Sequence, residues 1–170
     1  MQKLSRNFFK QDVLIVAPAL LGKFLVREFE DGHIERYRIT EVEAYRGEED
    51  KACHAAKGRT RRTEVMYHEG GKIYVYLIYG MYWLLNIVTG NEDEPQAVLI
   101  RSVEKISGPG RVGKQLQLHS GFYGEILPSK RIWIEDDNRI VSHYVTTPRI
   151  GIDYAGEWKL KEWRYCLVNL

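Results

Sequence analysis

Apolar and polar positions alternate with a period of two over most of this chain, which is the pattern of half-buried strands. Lys23 to Glu30 and His33 to Glu43 read as two such strands, and the Asp31-Gly32 pair between them suits a two-residue hairpin turn. Between Gly71 and Asn86 the tyrosines crowd together. Tyr74, Tyr76 and Ile78 share one side of a strand, Val75, Leu77 and Tyr79 take the other, and Gly80 permits a tight reversal. Gln96 to Val103, Arg131 to Glu135 and Trp163 to Leu170 are further strands. Helical spacing is rarer. Val13, Leu14, Ala17, Leu20 and Leu21 mark one face of a helix over Gln11 to Leu21, interrupted by Pro18 and ended by Gly22, and Val112, Leu116 and Leu118 suggest another after Gly108. Residues 46–70 are the longest irregular segment, Gly90 to Pro95 is a turn, and Gly121 to Ser129 is loop. The expected architecture is an α+β fold: a single compact domain over residues 1–170 with a curved, mainly antiparallel sheet flanked by helices.

Composition narrows the class without naming a function. A chain of 170 residues, 44% hydrophobic and 28% charged, fits one soluble domain with its own core. Its formal net charge is only +2, so any binding to nucleic acid must come from local clusters. Two exist: Lys57, Arg59, Arg61 and Arg62, and then Arg101, Lys105, Arg111 and Lys114. Cys53 and Cys166 form neither a disulfide framework nor a zinc knuckle, which points to a reducing compartment. The first ten residues lack the apolar run of a signal peptide. The uncharged stretch from Ile73 to Asn91 approaches the roughly 18 to 20 residues of a membrane span. Its tyrosines, glycines and asparagines, and its two β-patterned halves, argue against one. The expectation is an intracellular protein with no membrane contact.

Candidate chemistry gathers at a few positions. An aromatic at a hairpin tip, as Tyr79 would be, is placed to enter another molecule, although a tyrosine-rich β run by itself reads as core. Glu41 and Glu43 share a face with Tyr45 just before the loop that opens at Arg46-Gly47, and a carboxylate at a strand's end beside a loop is where a scaffold positions a general base. Within the loop, basic residues beside exposed aromatics suit phosphate contact. His33-Ile34-Glu35 matches half of a zinc deaminase signature, but the other half is missing. Gly108-Pro-Gly-Arg-Val-Gly113 satisfies G-x-G-x-x-G, yet the neighbouring strands are linked as hairpins and not as βαβ units.

Several blocks together carry a resemblance. Thr40-Glu-Val-Glu-Ala-Tyr45, His54 with the Arg/Thr-rich loop after it, Tyr74-Val-Tyr-Leu-Ile-Tyr-Gly-Met-Tyr82, and Asn86 resemble the alkyladenine DNA glycosylase (3-methyladenine or methylpurine DNA glycosylase) family. Phe8-Phe9, Leu20 to Leu25, Ala97 to Arg101, Gly108 to Arg111 and Pro148 to Trp158 resemble its remaining blocks in the same order, so nearly the whole chain is covered. The resemblance implies a monofunctional DNA glycosylase that flips 3-methyladenine and related alkylated purines out of duplex DNA and hydrolyses the N-glycosidic bond, beginning base excision repair. It implies no cofactor, no metal, and a bare catalytic domain acting as a monomer on the cell's DNA.

The same resemblance assigns roles. Glu43 would activate the water, aided by Arg101 and by the Ile150 main-chain carbonyl. Tyr45, His54, Tyr76, Asn86 and Leu99, with Met66 touching the pocket, would receive the flipped base. Asn86 would clash with the exocyclic amino group of guanine, and Tyr79 would fill the gap left in the duplex. From the residues themselves, the basic loop of Arg59, Arg61 and Arg62 and the glycine-rich helix start at Gly110, with Arg111 and Lys114 adding charge, would meet the DNA backbone. Thr63 and Tyr67 depart from the family's usual asparagine and phenylalanine, and the loop after His54 looks slightly short. Two other readings remain at this point: a nucleic-acid module that stacks bases on tyrosines and does no chemistry, and a nucleotide-cofactor enzyme built on Gly108 to Gly113.

Overall fold

The computed structural model describes residues 1–168 of the chain. Their strands form one 10-stranded sheet, and every ladder in it is antiparallel. In chain order the strands are β1 (Gln2–Lys3), β2 (Phe24–Glu28), β3 (Ile34–Arg46), β4 (Ile73–Ile78), β5 (Tyr82–Val88), β6 (Gln96–Val103), β7 (Ile106–Ser107), β8 (Ile132–Asp136), β9 (Tyr144–Thr147) and β10 (Arg164–Leu167). The main path runs β1-β8-β2-β3-β6-β5-β4. The 13-residue β3 is the axis. Its first half pairs with β2, and its second half pairs with β6 and β10. The expected mostly antiparallel α+β fold is therefore present, and without a parallel pair among the described residues the βαβ frame of a dinucleotide site is missing.

Differences from the expected elements have local causes. The first helix, α1 (Val13–Leu20), begins later than Gln11 because the Asp12 carboxylate accepts the N–H of Leu14 and caps it there. It buries Val13, Val16, Ala17 and Leu20 against the sheet. The β2–β3 connection is longer than the two-residue turn read from Asp31-Gly32. Phe29 and His33 stack, with ring centroids 4.4 Å apart, and the Phe29 N–H donates to the His33 carbonyl at 2.9 Å. Glu30 thus joins the loop, and Gly32 closes it at φ +86°, in the left-handed region. Strand β9 was not evident from the pattern. The terminal strand expected over Trp163 to Leu170 is observed as Arg164–Leu167, and residues 169–170 lie outside the described part. Trp163 packs against the main core and Trp158 beside a small cluster of Ala52, Ile152 and Ala155, as expected of core residues.

Two apolar clusters organise the molecule. The larger joins α1 to one face of the sheet through residues such as Phe9, Leu25, Val42, Ile100 and Phe122. The smaller lies under residues 46–70, where Cys53, Ala55, Val65, Met66 and Tyr67 pack on Tyr74, Val88 and Ala97 from the opposite face. The long loop is thereby an ordered wall. No helix among the described residues is long and apolar enough to cross a membrane.

The second helix, α2 (Pro109–Gln115), explains the glycines of the G-x-G-x-x-G sequence. A Cβ on Gly113 would lie 1.8 Å from the Trp83 carbonyl oxygen, and one on Gly110 would lie 2.9 Å from the Tyr82 ring. These residues are glycine so that the helix can lie directly on β5. Gly113→Ala gains about 1 kcal/mol of helix propensity but must push the helix off a strand backbone. It is expected to lower unfolding stability in urea by about 2–4 kcal/mol, and Gly110→Ala by less, because the Tyr82 ring can shift.

Candidate active site

One cross-strand row sets the site. Residues paired across an antiparallel sheet point to the same face, and here Arg164 pairs with Glu43, Glu43 with Leu99, Leu99 with Asn86, and Asn86 with Tyr74. Five strands thus contribute to one line of side chains. The α1 helix covers the other face, so this one is left to the 46–70 loop and to the turn after β9. Between them is a cavity of about 430 Å³.

Glu43 is fully buried behind the cavity lining and is held by residues that belong to it. Its Oε1 accepts the Tyr45 hydroxyl at 2.8 Å and lies 3.5 Å from a terminal nitrogen of Arg101, while its Oε2 accepts the Ile150 N–H at 2.7 Å. A carboxylate has about four lone-pair directions, so each oxygen can still accept from a water on the cavity side. Tyr45 therefore does more than the expected stacking. Ile150 meets Glu43 through its amide, a contact additional to the role that the resemblance implies for its carbonyl toward the water.

Arg101 reaches the site through paired irregularities. Thr40 in β3 and Arg101 in β6 are both skipped in the register, since Ile39 pairs with Val103, Glu41 with Ser102 and Val42 with Ile100. Such bulges re-aim side chains, and both Arg101 and Ser102 turn to Glu41, at 2.8 and 3.4 Å. Arg101 is thus bonded to Glu41 first and approaches Glu43 second. Arg164 holds the other Glu41 oxygen at 2.6 Å. Burial works to raise the Glu41 carboxyl, but the hydrogen bond from Arg164 and the charge of Arg101 outweigh it and leave it below the ordinary carboxylate value.

The other expected pocket residues converge. Tyr45, His54, Met66, Tyr76, Asn86 and Leu99 all line the cavity. The His54 ring lies 4.5 Å from Tyr76, and its Nδ1 is 2.7 Å from the Tyr74 hydroxyl. Burial, reinforced by Arg62 and Lys57, lowers the His54 pKa to about 4, so the ring is neutral near pH 7 and keeps one acceptor nitrogen. The Asn86 Nδ2 is buried at the cavity without a hydrogen-bond partner. Tyr79 sits with Gly80 and Met81 beyond the last hairpin pair, Ile78 with Tyr82, and is 84% exposed. Its φ of +53° lies in the left-handed region, which non-glycine residues seldom adopt.

The basic residues separate into groups. Arg62 lies over the Tyr76 ring at 5.2 Å and lines the cavity, Arg61 is exposed beside it, and Arg111 and Lys114 are exposed on α2. Arg59 is engaged within the protein instead, bonded to Glu64 at 2.7 Å and Asp93 at 2.9 Å. Gly110 faces Tyr82. Sequence reasoning missed Tyr74, the partner of His54; Tyr154, exposed at the cavity rim; and the buried ion pair of Arg149 with Asp50. Asp50 had no distinguishing signal within Glu48-Glu49-Asp50, of which it alone is buried.

Comparison with known proteins agrees with the arrangement. The family model described as methylpurine-DNA glycosylase (MPG) matches residues 7–108 and 104–169. Among similar proteins, one from Legionella pneumophila (strain Corby) is 44% identical over 93% of this chain and 90% of its own. One from Psychrobacter cryohalolentis is 42% identical over 92% of this chain and 87% of its own, and one from Methanocella arvoryzae is 42% identical over 97% and 92%. Each bears the name "Putative 3-methyladenine DNA glycosylase".

His54 generates a pH prediction. Its folded-state pKa of about 4 lies below the ordinary 6.5, so between those values the unfolded chain takes up a proton that the folded chain does not. The stability contributed is present above pH 6.5 and is lost as pH falls toward 4. Urea unfolding is expected to show wild type losing about 1–3 kcal/mol more than His54→Gln between those limits.

Proposed function

This chain belongs to the methylpurine-DNA glycosylase family, and from that premise, DNA repair by hydrolysis of an N-glycosidic bond, we propose how its residues act. The substrate is duplex DNA carrying an alkylated purine such as 3-methyladenine, and the protein works on it as a monomer, inside the cell. The damaged nucleotide is flipped into the cavity, Tyr79 occupies the vacated stack, and Arg61, Arg62, Arg111 and Lys114 contact phosphates. Within the cavity the base lies against Tyr76, His54 and Tyr45. An alkylated purine is cationic and stacks on electron-rich rings better than a neutral base does. Neutral His54 hydrogen-bonds the base edge. The unpartnered Asn86 donor would face the exocyclic amino group of guanine, donor against donor, whereas adenine has no group there.

Glu43 then orients a water toward C1′, with Arg101 and the Ile150 carbonyl as further anchors. As the glycosidic bond breaks, the purine leaves with its electron pair and loses its positive charge. The water oxygen bonds C1′, its proton passes to Glu43, and the carboxylate stabilises the oxocarbenium character that develops between. A cationic base leaves without prior protonation, so one carboxylate is sufficient, and this sequence of steps calls on no cofactor.

The observation that supports this reading most directly is a fully buried Glu43 whose two oxygens are bonded by Tyr45 and Ile150, both of which line the aromatic cavity. A module that only stacked bases would gain nothing from burying a carboxylate there. Wild type is expected to release 3-methyladenine from methylated duplex DNA. Glu43→Gln should lose about 10²–10⁴-fold in single-turnover rate while binding the same DNA within a few-fold. Wild-type release by that variant would sink the proposal. Tyr79→Ala is expected to weaken binding to lesion DNA by roughly tenfold or more, measured by fluorescence anisotropy.

A further inference from the structure

The structure assigns a task to the buried Asp50–Arg149 ion pair: we propose that it positions both hydrogen-bond donors of Glu43, and so sets the aim of the catalytic carboxylate. This inference rests on the role proposed for Glu43. Both side chains are completely buried, away from the cavity lining. One Arg149 terminal nitrogen donates to Asp50 Oδ2 at 2.6 Å and to the Ala44 carbonyl at 3.0 Å. The other donates to Asp50 Oδ1 at 2.9 Å and to the Trp158 carbonyl at 3.3 Å. Asp50 in turn accepts the N–H groups of Arg46 at 3.0 Å and Ala52 at 3.1 Å.

These contacts converge on Glu43 from two directions. Arg149 immediately precedes Ile150, whose N–H is the donor to Glu43 Oε2. Fixing the guanidinium between Asp50 and two carbonyls therefore fixes that amide. On the other side, Ala44 and Arg46, both bonded to the pair, flank Tyr45, and the guanidinium carbon lies 4.9 Å from the Tyr45 ring centroid. The Tyr45 hydroxyl is the donor to Glu43 Oε1. Residue 50 also begins the turn leading to Cys53 and His54, through the Cys53 N–H to Asp50 carbonyl bond at 2.8 Å. One planar fork thus ties the end of β3, the loop carrying His54 and the loop carrying Ile150 to a common geometry. Lysine could match the charge but not the fork.

A purely structural ion pair would be replaceable. Substituting both members of a buried pair by apolar groups is often neutral for stability, whereas losing one strands a charge. The discriminating protein is therefore the double variant Asp50→Leu/Arg149→Met, measured beside wild type, Glu43→Gln and Arg149→Lys. The readouts are urea unfolding, affinity for lesion duplex, and single-turnover base release. The expected result is a double variant that unfolds near wild type and binds DNA within a few-fold. Its release rate should be lower by roughly 10- to 100-fold, a loss of rate at held affinity that a merely structural ion pair would not produce. Wild-type release rate in the folded double variant would overturn the inference. If the double variant does not fold, Arg149→Lys decides in the same way: a reduced rate at unchanged affinity supports the inference, and an unchanged rate overturns it. Should Glu43→Gln itself release base normally, the reading of Glu43 fails first, which separates the two failures.

Discussion

A carboxylate taken wholly out of water costs several kcal/mol unless donors replace its hydration, and much of this fold is arranged to supply them to Glu43. The register places it, since pairing Glu43 with Leu99 turns it to the face that α1 leaves uncovered. Two hydrogen-bond donors and one nearby cation serve it, two of the three from distant parts of the chain. Tyr45 follows in the same strand, Arg101 arrives from β6 through a bulge, and the Ile150 amide comes from beyond β9.

The aromatic wall follows a different logic. Tyr74, Tyr76 and His54 meet edge to face or tilted, with centroids 4.5 to 5.9 Å apart, which suits the quadrupoles of their rings. Burial that keeps His54 neutral also keeps the Tyr76 hydroxyl protonated, its pKa pushed up to about 12. The cavity therefore presents neutral rings and one unpartnered amide, with Arg62 and Arg101 in its lining and Glu43 buried behind it. Its chemistry is asymmetric, with stacking on one side and the reactive group on the other.

Alternation and turn residues made most of this legible. Period-two patterning located β3 to β6, and a strand ending in Glu43-Ala-Tyr45 marks a carboxylate and an aromatic on one face. Strand adjacency was not legible in the same way, because hydrophobic period specifies faces and says little about which edges meet. The bulges at Thr40 and Arg101 leave no signature in local pattern, so the preference of Arg101 for Glu41 was hidden. The G-x-G-x-x-G motif is ambiguous for a related reason: glycine marks close approach, and sequence alone does not say whether a phosphate or a neighbouring strand approaches. Arg59 looked free because its partners, Glu64 and Asp93, include one that lies far along the chain.

The separate apolar cluster beneath residues 46–70 has an evolutionary consequence. The aromatic part of the pocket wall, Tyr74 with the flanking Tyr45 and Tyr76, together with Met66 and Ala97, belongs to that small cluster and not to the larger one that secures α1 on the sheet. Residues without shared contacts tend to contribute additively to stability, so the wall can be remodelled with limited penalty to the folding of the scaffold. The molecule is modular in that sense at Met66, Tyr74 and Tyr76, where lineages can explore new lesion shapes, whereas Tyr45 is shared between the wall and the group that holds Glu43 and ties the two together.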